Sequence, residues 1–340
     1  MRKVSIIMVN YNGIKYVGKD DLAIAVKSFL ETDYPSFEFI FVDNNSDDGS
    51  VDFVKAIFQE YPQIQTKIIK NSRNLGFAGG CNTGVINSSG DYICLVNNDD
   101  KPADNSWLKK LVNVLETFDN VGAVFSKKMK WNNPIELDAK GMTIDPAGFV
   151  AESTNVNDDS KPHICLIWQT PVLFRRKLID EIGGRFFDDD FIILHDDTDS
   201  SLRIWLAGYK IVYVPTSVVL HKRSATMKKL PVEFAAFHGR KNIIQTIIKC
   251  YETKNLIKWL TITLTIYLAS ILYHVKIHRL DQAKATMRAI AWNLLNIKTL
   301  LKKRRYIQRE VRKISDKTII ELMESFRLSR ILKGKKIWPK

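Results

Sequence analysis

A chain of 340 residues with 45% hydrophobic and 26% charged content can hold one large globular domain with an appendage, or two domains, and wholesale disorder is excluded. Its net charge of +14 is unevenly placed: from Leu256 onward there are 20 basic and 5 acidic residues, a net +15, which leaves −1 for everything before. Cys81, Cys94, Cys165 and Cys250 are scattered without a CxxC or metal-ligand spacing, the pattern of buried thiols in a reducing compartment.

The run Val4–Val9 is continuously apolar and stops at Asn10-Tyr11-Asn12-Gly13. It is too short for a signal-peptide core and reads as a strand buried on both faces, followed by a turn. Helical spacing over 20–31 leads to a second strand, Phe37–Asp43, which ends in Asn44-Asn45-Ser46-Asp47-Asp48-Gly49-Ser50. A helix over 51–61 and a strand over 66–69 follow. The glycine-rich Asn74-Leu75-Gly76-Phe77-Ala78-Gly79-Gly80 opens a helix to about Ile86, and a fourth strand over 91–96 ends in Asn97-Asn98-Asp99-Asp100. Strand alternating with helix predicts a parallel α/β sheet with right-handed crossovers. Ligands in such sheets bind outside the carboxyl ends of the strands, where the three Asn/Asp clusters fall. Each cluster alone is ordinary turn chemistry; three at strand ends point to a site. The glycine-rich loop has neither the G-x-G-x-x-G spacing nor a Walker lysine, so its glycines support only close backbone approach or tight packing.

Beyond a strand over 121–125, residues 127–162 are polar and suit loops and hairpins. A strand over 164–174 and a short helix over 175–182 precede Gly183-Gly184. Then comes an acidic stretch, Asp188, Asp189, Asp190, Asp196, Asp197 and Asp199, set among Phe186, Phe187, Phe191 and Leu194 and followed by an amphipathic helix to about Ala207. Crowded carboxylates spread their pKa values unless a cation or helix N-terminus neutralises them, and one flanked by apolar residues at a helix start can serve as a general base. A solvated loop capping the helix is the plainer alternative. Strand-like segments over 209–215 and 217–221 end in His221.

Taken together, Val4–Gly13, Val42–Ser50, Asn74–Gly80, Leu95–Asp99, Gly183-Gly184, His195–Asp199 and Ala207–His221 resemble the family 2 inverting glycosyltransferases, in the branch with rhamnosyltransferase-like enzymes. The resemblance spans roughly residues 4–250. It implies a GT-A fold, a Rossmann-like α/β domain over 1–230 that holds a nucleoside-diphosphate sugar, UDP- or dTDP-linked, and a divalent metal, Mn²⁺ or Mg²⁺. Asn10, Tyr11, Asn12 and Asp43 are then expected around the base and ribose, with Asn74, Gly76 and Asn98 as further donor contacts. The metal-binding D-x-D position falls on Asn97-Asn98-Asp99, which leaves Asp99 as the principal ligand, with His221 at a second metal-side position. The base falls on Asp197, and Asp196 stands where a Glu is more usual. Arg240 corresponds to a family position near the diphosphate. A sugar-phosphate nucleotidyltransferase and a non-catalytic nucleotide-sugar-binding scaffold are the alternative functions.

The remainder, 231–340, is expected to be a helical, basic C-terminal region, beginning with a helix over 232–252. Residues 259–275 lack Asp, Glu, Lys and Arg, a marginal length for a bilayer span, for which about 20 are usual. Without aromatic interleaving or a nucleic-acid module, the tail suits an anionic membrane surface and not nucleic acid. A helix in the membrane plane is preferred over a true span, placing a peripheral enzyme at the cytoplasmic face with a glycan or lipid-linked acceptor. Packing on the catalytic domain with a solvated basic face is the alternative.

Overall fold

The computed structural model describes residues 2–139, 141–152, 160–223 and 231–327. Strands β1 (Val4–Asn10), β2 (Phe37–Asp43), β3 (Gln65–Lys70) and β4 (Tyr92–Asn97) are mutually parallel, in the order β3-β2-β1-β4. The sheet continues through β11 (Val172–Arg175), antiparallel to both neighbours, to β6 (Val121–Lys130), β12 (Lys210–His221) and β10 (His163–Ile164). Two short strands lie off this path: β5 (Asp100–Pro102) pairs with β12, and β7 (Asn133–Ala139) with β6.

Successive side chains of a strand point to opposite faces, and here the two faces bury different cores. Ile6, Met8, Phe39, Phe41, Cys94 and Val96 face a layer made by helices α2 (Lys19–Leu30), α3 (Ser50–Gln59) and α5 (Trp107–Thr117). Ile7, Ile40, Val42, Ile93 and Leu95 face the other side, under α4 (Gly76–Ile86) and α7 (Asp196–Leu206). Burial on both faces is why these strands read as largely apolar runs. The glycines of α4 let it lie close on β1: an added Cβ would come within 2.6 Å of Val9 Cγ1 at Gly80 and 2.4 Å of Ile7 Cγ2 at Gly84.

Three sequence expectations change. The strand expected over 164–174 is two short strands, β10 and β11, interrupted before Pro171, which cannot donate to a ladder. The two segments around Pro215 are one strand, β12, whose register against β6 slips between Val214 and Val218. A bulge at Pro215 absorbs the missing donor. Helix α5, with Leu108, Leu111, Val112 and Leu115 buried at helical spacing, was not assigned from the sequence at all.

The C-terminal part is helical: α8 (Val232–Cys250), α9 (Thr253–Lys276), α10 (Leu280–Leu295), α11 (Ile297–Tyr306) continued by a π-turn to Val311, and α12 (Asp316–Ile320). The change of architecture at 231 is not a gap in packing. Ile243, Ile247, Cys250, Tyr251, Ile307, Val311 and Ile319 belong to the same core as the α4 face of the sheet. Helix α9 differs. Of its 24 residues only Thr263 and Tyr267 are buried, against Ala147 and Phe149 of the turn between β8 (Met142–Ile144) and β9 (Val150–Glu152).

Candidate active site

The parallel strands end side by side, and their last residues are joined by one polar network. Fully buried Asn10 uses its whole amide: Nδ2 donates to Asp43 Oδ1 and Ser46 Oγ, each at 3.2 Å, and Oδ1 accepts from Asn98 Nδ2 at 2.9 Å. Asp43 is held further by Ser46, whose hydroxyl donates to Oδ1 at 2.5 Å and whose N–H donates to Oδ2 at 2.9 Å. Asn12, in the left-handed region at φ 49, accepts from Asp47 N–H at 2.9 Å and builds the turn. Asn10 and Asn12 thus shape the strand ends, while Tyr11 is 37% exposed, its ring beside that of Tyr16 at 6.1 Å between centroids.

Asn74 and Gly76 belong to the adjacent turn, where Asn74 Oδ1 accepts from Gly76 N–H at 2.8 Å. Gly76 is required on two counts. Its φ is +72, and a Cβ would lie 2.1 Å from Ile192 O. This glycine admits the acidic loop against the start of α4, where Phe77 N–H donates to Ile192 O at 3.2 Å.

One residue beyond the strand-end network is a cluster suited to a cation. Asp99, Asp100 and His221 offer ligand atoms within 4.8 Å of one another. The register brings them there: beyond the Pro215 bulge, β12 turns to pair with β5, and His221 sits opposite Asp100. His221 Nε2 lies 3.4 Å from Asp99 Oδ2, and Nδ1 is bound to Asp138 Oδ2 at 2.7 Å. A carboxylate behind the imidazole fixes its tautomer and aims the other nitrogen at the cluster, as behind many metal-ligating histidines. Arg223 Nε, 2.5 Å from Asp138 Oδ1, holds that carboxylate in turn.

The electrostatics fit a hard cation. Asp100 is fully buried; Lys128 Nζ lies 3.1 Å from Oδ1, and among the described residues Oδ2 receives no hydrogen bond. Burial raises its pKa, against the pull of Lys128. Burial and Lys128 oppose charge on His221, yet Asp138 and Asp99 raise it to about 9. Without a cation the cluster therefore holds a proton on His221. Two carboxylates and an imidazole are a donor set that Mn²⁺ or Mg²⁺ accepts. Asp100 and Asp138 were not singled out in the sequence, although Asp100 adjoins the D-x-D position.

The acidic stretch divides. Asp188, half-buried, and Asp199, buried, are paired with lysine: Lys249 Nζ lies 2.5 Å from Asp188 Oδ2 and 2.7 Å from Asp199 Oδ1. Lys303 Nζ binds Asp188 Oδ1 at 2.5 Å and Asp190 Oδ2 at 2.6 Å, and Arg203 Nε binds Asp199 Oδ2 at 2.9 Å. The solvated-loop alternative fails for these carboxylates. Asp196 and Asp197 open α7, and no lysine or arginine pairs with either among the described residues. Burial raises both pKa values, reinforced at Asp196 by the charge of Asp197 and opposed at Asp197 by Thr198 N–H, which donates to Oδ1 at 2.7 Å. Asp196 is buried and Asp197 is half-exposed, so of the two Asp197 is the one open to a partner.

Arg240 belongs to α8. Its guanidinium reaches Gln282 O at 3.5 Å within the helical layer and is largely desolvated there.

The profile of "Glycosyl transferase family 2" matches residues 5–183, and that of "Glycosyl transferase family group 2" matches 149–241. Among curated proteins, the chain is 27% identical over 208 residues to the probable glycosyltransferase YdaM of Bacillus subtilis, covering 60% of this chain and 48% of that protein. It is 29% identical over 226 residues to the uncharacterized glycosyltransferase YwdF of the same organism, covering 64% and 74%. The amylovoran biosynthesis glycosyltransferase AmsB of Erwinia amylovora is 22% identical over 202 residues, covering 58% and 64%. With YdaM the chain therefore matches about half of the relative's length. Solved structures with the same GT-A fold include Staphylococcus aureus TarS 1–349 in complex with UDP-GlcNAc, at TM-score 0.56 and 16% identity, covering 94% of this chain and 90% of that one. The Pyrobaculum calidifontis mannosyltransferase PcManGT in complex with GDP-Man and Mn²⁺ has TM-score 0.53 and 17% identity, covering 98% and 88%.

Proposed function

The chain belongs to glycosyl transferase family 2, and from that premise we propose that it moves a sugar from a nucleoside-diphosphate sugar to a hydroxyl of a glycan or lipid-linked acceptor, with inversion and with a divalent cation. The observation that carries this reading is the joined strand-end site. Asn98 bonds to Asn10, and the next residue belongs to the cation cluster Asp99–Asp100–His221. A nucleoside half and a diphosphate half therefore adjoin. Tyr11 offers a ring face to the base and Asp43 a carboxylate to the ribose or base. Asp99, Asp100 and His221 would hold the cation, which neutralises charge developing on the diphosphate when bound.

Asp197 is the proposed base. Its raised pKa keeps it basic enough to take a proton from an acceptor hydroxyl while still ionised near neutral pH. As the hydroxyl oxygen bonds to the anomeric carbon, the bond from that carbon to the diphosphate breaks on the opposite side and the proton passes to Asp197. One displacement inverts the centre, and no nucleophilic second carboxylate is needed, unlike retaining glycosidases.

The proposed place of work is the cytoplasmic face of a membrane. Helix α9 is 24 residues long, and its most apolar 18-residue stretch has mean hydropathy 1.6, long and apolar enough to cross. Its Thr263 hydroxyl, however, donates to Ala147 O at 2.9 Å, and Tyr267 packs edge-on against Phe149. These contacts hold its middle on the domain and support an in-plane helix. Leu268, Leu272 and Val275 are exposed beside Lys276 and Arg279, an apolar surface with basic flanks that suits anionic lipid.

Incubation of the full chain with Mn²⁺ and a panel of UDP-, dTDP- and GDP-sugars tests the reaction. Release of nucleoside diphosphate that EDTA abolishes is the expected result. Pyrophosphate release would mean nucleotidyl transfer instead, and binding without turnover would mean a scaffold.

A further inference from the structure

The acidic loop reaches α7 through two consecutive left-handed residues, neither of them glycine: Leu194 at φ 66 and His195 at φ 59. Side chains disfavour this backbone, and it persists only where its surroundings over-determine it. The catalytic sheet side supplies part of that support: Asn82 Nδ2 donates to Phe187 O at 2.9 Å, and Gly76 gives room to Ile192. The rest comes from the C-terminal helices. Asn242 of α8 is fully buried, and its Nδ2 donates to Ile193 O at 2.9 Å and to Leu194 O at 2.6 Å. Those carbonyls belong to the two peptide units flanking Leu194, so one amide group holds both sides of the strained turn. One residue earlier on α8, Lys241 Nζ donates to Asp190 O at 2.5 Å. Two turns further along, Lys249 pins Asp188 to Asp199, while Lys303 of α11 joins Asp188 to Asp190.

We propose that Asn242 is a positioning residue for sugar transfer: from the C-terminal helical layer it fixes the left-handed turn that sets Asp197 at the head of α7. The helical layer is then part of the catalytic apparatus and not only an anchor. This inference rests on Asp197 being the base.

The test uses the full chain with Asn242→Ala, a substitution that keeps α8 a good helix and removes only the amide. With the donor sugar that the panel identifies, kcat should fall about 10-fold or more, since a misplacement of about 1 Å can cost roughly 100-fold. The donor KM and the affinity for the free nucleoside diphosphate with Mn²⁺ should stay within about twofold, because binding is not where a positioning group acts. Hydrogen exchange should quicken at amides 193–198 and stay unchanged at 10–13 and 97–100. Unchanged kcat, unchanged exchange at 193–198, or kcat and donor binding falling together would each overturn the proposal. Should Asn242→Ala not fold, Lys303→Met carries the same readouts, because Lys303 is 30% exposed and grips the same loop at 188 and 190. If Asp197→Asn keeps normal turnover, the base assignment alone fails, and exchange at 193–198 still decides whether Asn242 holds the turn.

Discussion

Two carboxylate clusters, one around the start of α7 and one at the strand ends, solve the same electrostatic problem differently. In the loop before α7 and in its first turn, Asp188 and Asp199 meet Lys249, Lys303 and Arg203, so the protein supplies its own cations and the charge is closed. At the strand ends, Lys128 meets Asp100 and Arg223 meets Asp138, so Asp99 is balanced by a proton on His221, a charge that titrates. That charge is left open to a cation from solution. Buried carboxylates alone do not mark a metal site; the covalently attached cations around them decide whether an ion has anything to add.

Removing the internal cation should have the largest effect. Lys249→Met leaves Asp188 and Asp199 with part of their compensation gone and should destabilise the fold by about 3–5 kcal/mol, measured by urea unfolding. The pair also gives stability a pH dependence. Burial works against the Asp188 charge, but Lys249 and Lys303 hold its pKa far below the ordinary carboxylate range. Its contribution is therefore complete above the unfolded carboxylate pKa of about 3.9, and it fades as pH falls toward the folded value. Lys249→Met should shrink this acid sensitivity, and an unaltered acid limb of the unfolding curve would show that the pair is not what titrates.

Asp197→Asn is expected to lower turnover by at least about 10²-fold with donor binding almost unchanged. In the unaltered enzyme the base must be ionised, and burial raises the Asp197 pKa. Turnover should therefore fall on the acid side at a pH above the ordinary carboxylate range. Near-normal turnover in Asp197→Asn with loss in Asp196→Asn would move the base by one residue.

At the open cluster, Asp138→Asn should weaken Mn²⁺ by roughly 10- to 100-fold, the range found for partners behind a ligating histidine, without unfolding the protein. If affinity holds, Asp138 is not orienting His221 toward an ion.

The smallest effect concerns the exposed helical face. The full chain should pellet with anionic vesicles at low salt and be partly released at high salt, since basic residues near such a surface contribute about 1 kcal/mol each and salt screens them. Retention through high salt and carbonate would favour a span, and no pelleting at low salt would remove the membrane from the account.

β1, β2 and β4 and their Asn/Asp ends were legible because strands buried on both faces are largely apolar runs, and turn residues punctuate them. The roles expected of Asp99, His221 and Asp197 came from resemblance, since spacing alone does not join positions 99 and 221. The register slip at Pro215 that pairs β12 with β5 does so, and no local pattern announces it. Asp100 and Asp138 stayed hidden for the same reason. Lys249 and Asn242 read as ordinary polar residues of an amphipathic helix; that they face an acidic loop about fifty residues earlier is a property of packing.

Mn²⁺ binding followed by electron paramagnetic resonance tests the central contrast most directly, because it needs neither the donor sugar nor the acceptor. One Mn²⁺ site should be present in the unaltered chain, abolished by Asp99→Ala and kept by Asp197→Asn. No bound Mn²⁺, or a site that survives Asp99→Ala and disappears when the acidic loop is altered, would contradict the account.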